Sequence, residues 1–283
     1  MRLCPAVALS AALAGLLHPA PLAAQDILLT GPGIGGLSAI EMREDGASAL
    51  VLSDRGQLHE VTFEREGGAL GKARVTASYL LSGEGLDPEG LALFPGGDLA
   101  VSFEGNAPLR LYRGGAGAGQ VPQRIPLPIH PALPPNAMYE ALAVDARGRL
   151  LMLPEDPGQS GPGYPLWRLE AGEWRQIAQL YAPRGYRPVG ADFGPDGQLY
   201  LLLRALGLGF RNMILRFDPD HPEIPARRLL HLTGYPRSNF EGLSVWQDDS
   251  GQLRLTLVSD DNFSASLKSR FLEITLDLQG TSR

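Results

Sequence analysis

One pattern recurs five times along the chain, and its spacing constrains the fold more than any other feature. The copies open on Gly35-Gly36-Leu37-Ser38, Glu89-Gly90-Leu91-Ala92, Glu140-Ala141-Leu142-Ala143, Val189-Gly190-Ala191-Asp192 and Glu241-Gly242-Leu243-Ser244. Successive openings lie 54, 51, 49 and 52 residues apart (89−35, 140−89, 189−140, 241−189). Each opening leads to a turn rich in Gly, Asp or Pro, such as Pro95-Gly96-Gly97-Asp98 or Gly194-Pro195-Asp196-Gly197. Gly in such turns supplies the positive φ of a tight hairpin. An apolar run follows, for example Leu150-Leu151-Met152-Leu153, and most units add a third, such as Ile214-Leu215-Arg216-Phe217. Each unit therefore reads as an antiparallel meander of three or four strands. A repeat of this kind and of roughly 40–50 residues is the signature of a β-propeller blade. A β-sandwich leaves the steady period unexplained. The expected fold is all-β: a propeller of five blades, or six if residues 114–133 or 181–188 hide further strands. Ile27-Leu28-Leu29 precedes the first unit and can complete the last blade, closing the ring.

Residues 1–24 read as a signal peptide. Arg2 is followed by an apolar stretch over residues 6–17, and Leu22-Ala23-Ala24 offers a cleavage point before Gln25. The apolar run is short for a membrane anchor, and no later stretch approaches spanning length, so no membrane span is expected after signal removal. The propeller domain is then 25–283, and the location periplasmic or secreted. The single cysteine, Cys4, falls inside the signal, so disulfides, thiolate catalysis and Cys-ligated zinc drop out of the mature chain. The net charge of −6 argues against a nucleic-acid partner. The chain is expected to be a monomer.

Aligning the repeats places acids at two recurrent points. In a propeller the innermost strand of each blade starts at one mouth of the central channel, and the hairpin returns the second strand to the same face. Glu89, Glu140 and Glu241 stand at the starts. The second strands end on Asp54, Glu104, Glu155-Asp156, Arg204 and Asp260, with Arg55 and Asn262 alongside. An acidic funnel follows. Clustered carboxylates repel one another unless a positive group lies among them. Ca²⁺, which takes oxygen ligands, is one solution and Arg204 is another. On this reading Glu89, Glu104, Glu155, Asp156, Asp54 and Asn262 are the metal-ligand candidates. Glu241, Glu140 and Asp260 are the catalytic candidates, and Arg204 and Arg55 bind substrate. The alternative is architectural: a Glu at a blade start that bonds its neighbour's backbone or pairs with an arginine.

Other chemistries lack support. There is no Gly-x-Ser-x-Gly elbow. No two of His59, His130, His221 and His231 have metal-site spacing, and His59 is expected at the surface. The glycine-rich run at 114–119 lacks a strand–turn–helix setting and reads as a loop.

Three motifs carry a resemblance. They are Gly35-Gly36-Leu37-Ser38 followed by Leu52-Ser53-Asp54-Arg55-Gly56, then Tyr139-Glu140-Ala141-Leu142-Ala143 with Pro154-Glu155, and finally Asn239-Phe240-Glu241-Gly242-Leu243-Ser244 followed by Ser259-Asp260-Asp261-Asn262-Phe263. In order and spacing, over about residues 30–277, the chain resembles the bacterial phytase-like proteins, a family also described by an esterase-like activity of phytase. The resemblance implies a secreted or periplasmic β-propeller and ester hydrolysis. The strongly anionic phytate would need more basic residues than Arg55 and Arg204. Three functions are therefore carried forward: a hydrolase of a small phosphoric or carboxylic ester, a metal-dependent sugar-lactonase-like enzyme, and a non-catalytic envelope binding propeller.

Overall fold

A computed structural model describes residues 21–276, apart from 30, 32, 82–86, 116–119, 129–138, 159–162, 236 and 265. Its twenty strands form five four-stranded antiparallel sheets. The first blade holds β2 (Leu37–Met42), β3 (Ser48–Ser53), β4 (Gln57–Glu66) and β5 (Ala69–Leu80). The second holds β6 (Pro88–Leu93), β7 (Leu99–Phe103), β8 (Leu109–Tyr112) and β9 (Gln123–Ile125). The third runs β10 (Ala141–Val144), β11 (Leu150–Leu153), β12 (Tyr164–Glu170) and β13 (Glu173–Leu180). The fourth runs β14 (Arg187–Phe193), β15 (Leu199–Leu206), β16 (Phe210–Phe217) and β17 (Arg227–Leu232). The fifth joins β18 (Asn239–Gln247), β19 (Leu253–Asp260) and β20 (Arg270–Leu276) to β1 (Pro21–Leu28).

The ring closes as expected, with Ile27 and Leu28 of β1 paired to Phe271 and Arg270 of β20. As placed, β1 also takes in Pro21–Ala24, upstream of the expected cleavage point; residues 1–20 lie outside the described part. The blade number is five. Residues 123–125 supply the outer strand of the second blade, and 187–188 open β14, so these stretches complete known blades. Among the described residues no helix is long and apolar enough to cross a membrane.

The innermost strands β2, β6, β10, β14 and β18 follow one another around the channel. Between neighbouring blades lies an apolar layer, five in all. Leu151, Leu201 and Leu203 belong to the layer between blades three and four, and Leu37, Val61 and Phe271 to the one closing blade five onto blade one. Burying such side chains contributes about 1.5–3 kcal/mol each. This explains how a chain without disulfides holds together.

The inner strands approach very closely. A Cβ on Gly242 would sit 2.9 Å from Ala39 Cα and Ile40 N of the next blade, and one on Gly190 would sit 2.5 Å from the Glu241 carbonyl oxygen. Gly242→Ala is expected to cost about 2 kcal/mol or more by overpacking, lowering the melting temperature by roughly 4–8 °C. A melt indistinguishable from the parent would show that the blades are not packed this tightly.

Candidate active site at the channel mouth

A β-bulge sits at the start of the inner strands and aims the funnel residues. The pairing register shifts at Ser38 in β2, at Glu89-Gly90 in β6, at Val189 in β14 and at Glu241 in β18. A bulge leaves its extra residue out of the ladder and re-aims the side chain. The register also corrects the sequence alignment of the first blade. Ser38, not Gly35, stands in the place of Glu89, Glu140, Val189 and Glu241, and the period becomes 51, 51, 49 and 52 (89−38, 140−89, 189−140, 241−189). Ser38 donates to the Pro88 carbonyl of the next blade (3.0 Å), so here the position is used for architecture.

At the ends of the second strands, Asp54, Glu104, Glu155, Arg204 and Asp260 are equivalent by register. Arg204 is the one base in that tier and lies at the throat. It donates to Glu241 Oε1, to Asn239 Oδ1 (3.1 Å) and to Glu155 Oε1 (3.1 Å). Glu140 lies within its field, facing Glu155 and Glu241. Burial pushes the Glu241 carboxyl up to about 7, against the opposing pull of Arg204. Burial, then the neighbouring acids, also hold Glu140 and Glu89 well above the usual carboxylate range.

Among the described residues the other side of the funnel has only Arg55, at its rim, to offset its acids. Burial raises Asp54 to about 6, and the charges of Asp260 and Asp87 add to this. Asp87 rises to about 6 through burial and its neighbour Glu104. Asp54 Oδ1 and Asp87 Oδ1 are buried without a hydrogen bond among the described residues. Asp260, 4% exposed, is raised by burial although it accepts from the Asn262 backbone (2.7 Å), the Asn262 side chain and Asn239.

The remaining candidates sit further out. Glu155 is shared between Arg204 and Arg187 (3.7 Å). Asp156 accepts from the Gly158 backbone (2.8 Å) and lies 4.0 Å from Arg187, on the rim. Asn262 turns its amide nitrogen to Asp260. Arg55 stacks 3.3 Å from the centre of the Phe263 ring. Asn262 and Phe263 both have positive φ, 46° and 48°. Such strain needs surrounding support. Asp261 provides it, accepting from Phe263 N (3.0 Å) and Gly36 N (3.1 Å). A Cβ at Gly36 would lie 2.6 Å from the Phe263 ring, so the glycines of the first motif are a seat for that ring.

Sequence reasoning missed Asp87 and Asn239. Both stand two residues before a funnel Glu, at 87 against 89 and 239 against 241, and Arg187 holds the same place before Val189. His59 is also not at the surface: it is 1% exposed, with Nδ1 on the Ser78 hydroxyl (2.8 Å), and burial lowers its pKa.

Several solved structures match over most of the chain at low identity. A gluconolactonase from Xanthomonas campestris is 14% identical, with 93% of this chain and 96% of that one covered and a TM-score of 0.47. Virginiamycin B lyase from Staphylococcus aureus is 11% identical, with coverages of 90% and 99% and a TM-score of 0.46. A glucose dehydrogenase is 14% identical, with coverages of 90% and 98% and a TM-score of 0.46. No protein of curated function matches the sequence. A family model does match, over residues 32–263, under the description "Esterase-like activity of phytase". The chain belongs to this Phytase-like family.

Proposed function

We propose that the funnel hydrolyses an ester, phosphoric or carboxylic, of a small molecule. The observation that supports it is Arg204 at the throat with Glu140, Glu155 and Glu241 around it, Glu241 titrating near neutrality. A carboxyl whose pKa lies near the working pH is best suited to move protons in catalysis. Glu241 takes the proton of the attacking water, whose oxygen bonds to the acyl carbon or phosphorus. Glu140, held protonated by burial, gives its proton to the departing alkoxide as the ester bond breaks. Arg204 meets the charge that develops on the carbonyl or phosphoryl oxygen. Asp260 braces Asn239 beside Glu241. Arg55, stacked on Phe263 at the rim, holds the distal part of the substrate.

The carboxylates away from Arg204 suit a hard divalent cation such as Ca²⁺ in type and charge. Asp54, Asp87, Glu89 and Glu104 would hold it, and the two unpartnered aspartate oxygens favour this. Among the described residues no three acids or histidines converge to ion-holding distance as they stand, so the fit is one of donor chemistry. Glu155, Asp156 and Asn262 are engaged elsewhere, which sets them behind Asp87 as ligands. A bound ion would supply Lewis-acid polarisation of the ester oxygen. A cyclic ester is a second reading, favoured by Asn239, whose amide joins Glu241 and Asp260 as a further polar contact for a hydroxylated ring.

The test is turnover of p-nitrophenyl phosphate, p-nitrophenyl acetate and a sugar lactone with added Ca²⁺. One substrate class is expected to turn over, and Glu241→Gln to lower its kcat by about 10²–10⁴. Equal turnover by variant and parent removes Glu241 from the mechanism. No turnover of any class overturns the reading and leaves the funnel a binding site.

A further inference from the structure

The opposite mouth of the channel holds a second cavity of about 720 Å³. It is built where the inner strands end. Met42, Leu93, Val144, Phe193 and Val245, one from each blade and equivalent by register, all line it. Phe94 extends the apolar wall, and Glu41 and Asp192 contribute polar surface. A concave apolar site of this size with a few convergent polar groups is the usual form of a small-molecule site. The channel between the two mouths narrows to a gap of about 10 Å³ lined by Gly90, Leu91, Gly190 and Gly242. The cavity is therefore separate from the funnel.

The equivalent positions just inside the collar are Glu41, Ala92, Ala143, Asp192 and Ser244. Some of these clasp blade to blade. Asp192 accepts from Phe193 N (2.7 Å), Ser244 Oγ (3.0 Å) and Val245 N (2.6 Å), and Ser244 Oγ in turn accepts from Met42 N (2.9 Å). Asp192 is thus fully used. Glu41 is not. Only 6% exposed, it accepts from Leu93 N on Oε1 (3.1 Å), and its other oxygen has no hydrogen bond among the described residues. Among the described residues no Lys or Arg pairs with either acid there, Arg43 of the lining included. Burial and the Asp192 charge push the Glu41 carboxyl well up, so it holds its proton until a cation seated against it drives that proton to solvent.

We propose that this cavity binds a small organic cation with an apolar body, its ammonium group on the free oxygen of Glu41 and its body against Phe94, Phe193 and the collar. The chemistry is a buried carboxylate without a base, inside walls that favour a cation over a hydrated metal ion.

Calorimetric titration of the whole protein with benzyltrimethylammonium chloride tests it. Saturable binding with a Kd of about 1 mM or tighter is expected. Glu41→Gln keeps the acceptor for the Leu93 amide but removes the charge, and is expected to weaken binding about tenfold or more. Phe94→Ala, on a half-buried wall outside the clasps, weakens it about threefold or more and decides the matter if the first variant does not fold. Glu89→Gln in the funnel leaves the Kd unchanged, and benzyl alcohol binds more weakly than the cation. Absence of saturable heat, indifference to both cavity variants, or loss of binding in Glu89→Gln overturns the proposal.

Discussion

Arg204→Gln is expected to destabilise the protein by about 3–5 kcal/mol at alkaline pH, the cost of leaving buried charge without its partner. Arg204 serves three carboxyls at once, with Glu241 and Glu155 in direct contact and Glu140 within its field. Its side chain is 20% exposed and those of Glu155 and Glu241 are 11% and 15%, so water screens the cluster weakly. The defect shrinks at about pH 5, where the raised carboxyls of Glu241 and Glu140 take up protons and no longer repel. Arg187→Gln is the control. That arginine reaches Glu155 at 3.7 Å but is 49% exposed, and a pair of that kind contributes under about 1 kcal/mol. Denaturant melts at the two pH values check both. Similar small losses in the two variants would mean that Arg204 is a rim residue and not the counter-charge of the throat.

The fold was legible because hydrogen-bonded meanders of one length must be spelled out in turns and apolar runs at one period. The acids were legible for the same reason, since Asp54, Glu104, Glu155, Arg204 and Asp260 are tied to their turns by short strands of constant length. The first blade misled. Gly35-Gly36-Leu37-Ser38 matches the other openings by residue type, but the bulge lies at Ser38, so the true equivalence is three residues later. The spacing of 54 against 51 was the available signal. Asp87 and Asn239 went unseen because a search for repeated Glu ignores the residue two positions earlier, which the bulge brings back to the mouth. The seat of Phe263 on Gly36 joins the last blade to the first, and no local pattern announces a contact across 227 residues (263−36).

The raised carboxyls make a definite pH dependence. Asp54 and Asp87 titrate at about 6 and Asp192 and Glu241 at about 7 in the folded chain, against roughly 3.9 for Asp and 4.3 for Glu when unfolded. A group with a raised folded pKa binds more protons folded than unfolded. Its stabilisation is complete below the unfolded value and is lost as pH rises through the folded one. The contribution of these groups is therefore complete below about pH 4, and stability should fall by about 2–4 kcal/mol between pH 5 and pH 8, after allowing for the partial exposure of Asp54 and Asp87. A cation bound by the ionised funnel reverses that fall, because binding to the folded state alone adds about 2.7 kcal/mol at a hundred times its Kd.

The decisive measurement is the melting temperature against pH from about 5 to 8, with and without millimolar Ca²⁺, for the parent and for Asp54→Asn with Asp87→Asn. The account predicts a fall of roughly 5–10 °C without Ca²⁺, largely restored by Ca²⁺ in the parent. In the double variant the fall is smaller and Ca²⁺ has no effect. A parent whose melting temperature ignores Ca²⁺ at every pH would contradict the cation side of the funnel.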